Sequence, residues 1–181
     1  MNTLRALYHV TRADFLERAR RYSFLITLGL TIFAAYLYLP PSSANYLTLG
    51  LGSYRGAYNS AWVGGAVAVL CSAFLSLPAF YLVKNAIERD EQTGVGQIIA
   101  TTPLSKSLYT LGKAFSNLVF LVVMVGVIAL SAGAMQLMRA EVFRIDLWAL
   151  LSPFGFCVLP SMAVIAALAV LFETIPWLRG T

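Results

Sequence analysis

The stretch Ala114–Met138, AFSNLVFLVVMVGVIALSAGAMQLM, runs for 25 residues without a charged side chain. A helix of that length rises roughly 37 Å, more than the ~30 Å hydrocarbon core of a bilayer. Lipid offers no hydrogen bonds, so backbone in such a run must pair within its own segment, and the helix does that. Three more apolar runs flank it: Ser23–Leu39, stopped by Pro40 and Pro41; Ala61–Val83; and Leu147–Phe172, which carries Pro153 and Pro160. The first is about 25 Å long as a helix, just enough to cross. Pro78 is expected to kink the second run, because it removes a backbone donor and crowds the preceding turn. The whole chain agrees with this reading. Of 181 residues 59% are hydrophobic and only 12% charged, with mean hydropathy +0.76, whereas about a quarter of a soluble domain is charged. The expected fold is all-α: a polytopic membrane helix bundle of about four transmembrane helices with an N-terminal amphipathic helix at the interface.

That leading helix is read over residues 1–22. Leu4, Leu7, Tyr8, Thr11 and Phe15 fall on one side of a helical wheel, and Arg5, His9, Arg12 and Arg20 on another, which suits a helix in the headgroup region of membrane lipid. Residues 40–60 form a loop rich in Ser, Gly, Asn and Tyr, where Tyr46, Tyr54, Tyr58 and Trp62 suit an aromatic belt. Within the spans, Gly64, Ala68, Ser72 and Ser76 recur every four residues, and Ala129 and Gly133 make a shorter pair. Such ridges of small side chains let helices approach closely in lipid. Cys71 and Cys157 lie in apolar runs with no ligand spacing around them, so they read as small buried hydrophobes. No metal, cofactor-binding or catalytic residue is expected. The net charge of +5 does not point to nucleic acid, because the basic residues sit beside apolar runs.

Charge asymmetry sets the orientation. With the N-terminus inside, Arg5, Arg12, Arg18, Arg20, Arg21, Lys84, Arg89, Lys106, Lys113 and Arg179 are cytoplasmic, which is ten of the thirteen basic residues. Arg55, Arg139 and Arg144 remain outside. The positive-inside rule then puts both termini in the cytoplasm of a cell (inner or plasma) membrane.

The segment 84–113, KNAIERDEQTGVGQIIATTPLSKSLYTLGK, joins the second span to the third. Residues 84–92 can continue the second helix past the membrane. Thr93-Gly94-Val95-Gly96 breaks it, since glycine readily takes the left-handed conformation that ends helices. A short apolar piece, 97–102, ends at Pro103, and Ser105 or Ser107 can cap the helix that follows. Local packing or a dip into the interface would account for the apolar residues Ile98, Ile99 and Leu104, and so would a partner that covers them.

The run from Glu88 to Lys113 resembles the cytoplasmic loop of type-2 (exporter-class) ATP-binding-cassette (ABC) transporter permease subunits. The resemblance rests on the acidic cluster Glu88, Asp90 and Glu91, then Gly94, then Ile98-Ile99-Ala100-Thr101-Thr102-Pro103-Leu104-Ser105, then Gly112-Lys113. The order of leading helix, span, external loop and second span is similar as well. The resemblance implies a coupling helix that seats in a groove of an ABC ATPase subunit, with Gln97, Ile98, Ile99, Thr102, Pro103 and Leu104 in the groove. Glu88 and Glu91 would serve as polar contacts nearby. It also implies a second permease copy or homologue forming a dimer. Val95-Gly96 departs from the usual pairing after the glycine, which would start the coupling helix later. Family members usually have six spans, so a fragment of a longer permease is expected. No P-loop spacing is present, so ATP hydrolysis would belong to another chain or region. A membrane enzyme is disfavoured by spans without acidic residues or histidine. The remaining alternative is a four-span carrier not driven by ATP, or a membrane scaffold.

Overall fold

The structure is a computed structural model and describes residues 11–12, 15–41, 43–44, 48, 50–51, 54–84, 88, 94 and 106–175. Four helices make up most of it: α1 Tyr22–Tyr38, α2 Ser60–Val83, α3 Lys106–Arg139 and α4 Leu147–Thr174. Between α1 and α2 lies a two-residue antiparallel ladder, Gly50–Leu51 (β1) with Tyr54–Arg55 (β2). The helices α2, α3 and α4 are each long and apolar enough to cross a membrane; α1 is a shorter apolar helix of 17 residues.

The helices run up, down, up, down. The end of α3 meets the end of α1, where Arg139 Nη1 donates to the carbonyls of Tyr36 (2.8 Å) and Leu39 (2.5 Å) and its guanidinium stacks 3.5 Å from the Tyr36 ring centre. These carbonyls belong to the last turn of α1 and to Leu39 just past it, where no further turn follows to pair with them, so one arginine caps the helix. The start of α2 lies at that same loop end. Gln136 Nε2 donates to Ser60 Oγ (2.9 Å) and to the carbonyls of Val142 (3.1 Å) and Arg144 (3.2 Å), tying α3, α2 and the 140–146 connection together. Asn59 caps α2 through Trp62 N, and Asp146 caps α4 through Ala149 N. Tyr58 is buried and stacks on Trp62 at 4.1 Å, with its carbonyl accepting from the amides of Glu141 and Val142. The aromatic belt expected of Tyr58 is thus replaced at that residue by packing inside the cap; Phe143 and Trp148 are exposed aromatics at this end.

The core is the shared face of α2, α3 and α4, with Val67, Leu75, Leu121, Met124, Ile128, Val158 and Met162 buried. Leu25, Ile26, Leu30, Phe33, Phe74, Leu77, Leu130 and Phe156 point outward. Apolar outside and in is what a bundle solvated by lipid needs. Leu150 of α4 fits against Gly64, where an added Cβ would stand 2.3 Å from the Leu150 carbonyl oxygen, and against Gly133, whose added Cβ would meet Leu150 Cδ2 at an ordinary 3.5 Å.

The expected kink in α2 takes a definite form. Residues Cys71–Leu75 make a π-helical turn just before Pro78, and Phe154–Val158 make another in α4 just before Pro160. A proline cannot donate to the carbonyl one turn back, and a wider turn redistributes the bonds around that gap. Ser76 Oγ, donating to Ser72 O at 2.5 Å, occupies another backbone carbonyl there. The two wide turns touch each other across the α2–α4 interface.

Candidate functional site

Opposite the capped end lies the basic end, where α1 and α3 begin and α2 and α4 finish. Residues 15–19 are helical and precede α1. Phe15 and Phe24 flank Phe120 of α3, at 6.1 and 5.1 Å between ring centres. This aromatic clamp turns the side chain between them inward: Arg18 is only 2% exposed, its Nη1 donates to Asn117 Oδ1 at 2.5 Å, and its guanidinium carbon lies 5.9 Å from the Phe120 ring centre.

The face of α3 at this level consists of Gly112, Lys113, Ser116, Asn117 and Phe120, spaced three and four apart and all buried. Lys113 is 2% exposed, with Nζ 5.8 Å from the Tyr109 ring centre. Glu173, in the last turn of α4, is 4% exposed. Buried charge among the described residues therefore collects at one end as Arg18, Lys113 and Glu173. Ionisable groups in such a setting are costly and tend to mark function. Lys113, expected at the end of the cytoplasmic segment 84–113, is buried, and so is Glu173 just past the fourth apolar run. The reason is that α3 begins at Lys106, so residues 106–113 are two helical turns that carry Lys113 onto the inner face. No apolar count reveals that, although the register Lys113, Ser116, Asn117, Phe120 leading into Leu121 and Met124 was available as a signal.

A cavity of about 510 Å³ opens beside this cluster, lined by Arg18, Arg21, Ser23, Thr27, Pro78, Tyr81, Leu82, Lys84, Glu88 and Phe120. Arg21 also pairs with Glu17 at 2.7 Å on the exposed side. Of the residues assigned to the coupling loop, Glu88 is helical and lines this cavity, and Gly94 has φ +74°, the left-handed conformation expected of a helix-breaking glycine. Glu91, Gln97, Ile98, Ile99, Thr102, Pro103 and Leu104 lie outside the described residues.

The small-residue ridge divides. Gly64 and Ala68 are buried, as is Ala129 of α3, while Ser72 and Ser76 are half-buried. Ala68 and Ser72 also line a groove of about 480 Å³ between α2 and α4, with Gly65, Val69, Ala73, Pro153 and Cys157. The two cysteines part company: both are free thiols, Cys71 buried and Cys157 exposed toward the groove, which corrects the expectation that both are buried. Among the described residues no three His, Cys, Asp or Glu side chains come close enough together to hold a metal ion.

Fold and site define a helical membrane bundle whose buried charged groups, among the described residues, gather at one end. Comparison with family models, with curated proteins and with solved structures gives no match to this chain.

Proposed function

We propose that the chain is a transmembrane permease subunit of an ABC exporter, in which the segment 84–113 couples ATP hydrolysis by a partner subunit to rearrangement of the bundle. The observation that carries this reading is the order of residues from Glu88 to Lys113, on a segment that joins α2 to α3 at the basic end. Lys84 is extended and ends α2 at Val83, so the expected unbroken continuation of that helix over 84–92 fails at its first residue; helical Glu88 and left-handed Gly94 still agree with a separate helical piece before the glycine. In this reading the basic end faces the cytoplasm and a second permease unit completes the pathway.

A push on residues 97–104 would travel through α2 and α3. Coupling requires two packings of the helices that the partner binds differently, since a ligand shifts an equilibrium only through differential affinity. The two wide turns in α2 and α4 are where the bundle has irregular backbone to rearrange.

The test is affinity purification from native membranes with the partner read by mass spectrometry. The wild-type chain is expected to bring down an ATPase containing a P-loop. Ile98→Asp and Leu104→Asp are each expected to lose it while remaining folded in the membrane. Full recovery of the ATPase with both variants would overturn the assignment of this segment as the coupling contact.

A further inference from the structure

We propose that the 510 Å³ cavity at the basic end binds the phosphate of an anionic phospholipid, with Arg18, Arg21 and Lys84 around the headgroup and the start of the acyl chains leaving past Tyr81 and Leu82. This requires only that the bundle sits in a bilayer, and it stands apart from the identity of any ATPase.

The walls have two characters. Three cations, buried Arg18 with Arg21 and Lys84 nearer solvent, line the cavity with one carboxylate, Glu88, so its polar wall is net positive. Deeper along the helices the walls are Thr27, Pro78, Tyr81, Leu82 and Phe120. Beyond them the outward faces of α1 and α2 carry exposed Leu25, Ile26 and Leu77. A ligand complementary to this surface has an anion at one end and hydrocarbon at the other. The volume falls within the ~300–1,000 Å³ typical of small-ligand sites.

Arg18 gives the site its fixed point. Its guanidinium is held inside the protein by Asn117 and lies against Phe120, so little side-chain freedom remains to be lost when an anion arrives. Arginine also presents paired donors that match phosphate oxygens. Arg21 is 45% exposed and its ion pair with Glu17 is a surface one, which holds it only weakly. Lys84 follows the last turn of α2 in extended conformation and supplies a point charge from the opposite wall. Inorganic phosphate shares the anion chemistry but leaves the apolar wall uncovered, so lipid is the source the cavity favours.

The test uses the full chain, purified and delipidated in detergent, with phosphatidylglycerol, phosphatidylcholine and inorganic phosphate added in turn. Thermal stability and native mass spectrometry read the binding. Phosphatidylglycerol is expected to stabilise and to persist as an adduct, with phosphatidylcholine and inorganic phosphate far weaker. Arg21→Gln and Lys84→Gln avoid the buried arginine, and each is expected to weaken phosphatidylglycerol binding about fivefold, as one lost charge near a lipid surface should. Equal stabilisation by phosphatidylcholine would overturn the anionic preference. Equal stabilisation by inorganic phosphate would overturn the lipid. Unchanged affinity when Arg21→Gln and Lys84→Gln are combined would overturn the location.

Discussion

Gly64 and Gly65 are neighbours with opposite surroundings. A Cβ at Gly64 would run into the Leu150 carbonyl, whereas nothing lies within 4 Å of a Cβ built at Gly65. Backbone cannot swing aside as a side chain does, so Gly64→Ala has to push α2 away from α4. Overpacking of this kind costs about 1–3 kcal/mol. The expected outcome is a melting temperature in detergent lowered by several degrees for Gly64→Ala and left nearly unchanged for Gly65→Ala; equal effects would contradict the close approach. The four-residue recurrence of small side chains made Gly64 legible in the sequence, because close helix approach needs a residue without bulk. Arg18, Lys113 and Glu173 were not legible in the same way. A charge next to an apolar run looks alike whether it points to water or inward, and here the direction is set by the Phe15–Phe120–Phe24 clamp and by where α3 starts. Asn117, inside the uncharged run Ala114–Met138, is buried and bonded to Arg18, and its position marks the inner face.

At the scale of the element, four apolar runs became four helices with boundaries within a few residues, except that α3 reaches back to Lys106. Apolar length fixes where lipid begins, and it carries no information about how far a helix continues into water. The same limit applies to bends: Pro78 announced irregularity in α2, but a proline does not say that the bend takes the form of a wide turn at Cys71–Leu75, nor that this turn meets a second one at Phe154–Val158 in α4. If Pro78 imposes the first of these, Pro78→Ala supplies the missing backbone donor and the local ladder tightens. Amide hydrogen exchange across residues 71–82 is then expected to slow. Unaltered exchange would mean that packing of buried Cys71 and Leu75, rather than the proline, holds the turn.

For the whole molecule, the two ends of the bundle differ in construction. The loop end is fastened by Arg139 capping α1 and by Gln136 bridging three segments. The basic end gathers the buried charges, a cavity open to headgroups, and the segment joining α2 to α3. The permease reading depends on which side of the membrane that end faces. The most direct measurement is labelling of Gln97→Cys, in a chain where Cys157 is replaced by alanine, with a membrane-impermeant maleimide. The account predicts no labelling in intact cells and full labelling once the membrane is opened. Full labelling in intact cells would put the segment outside and contradict it.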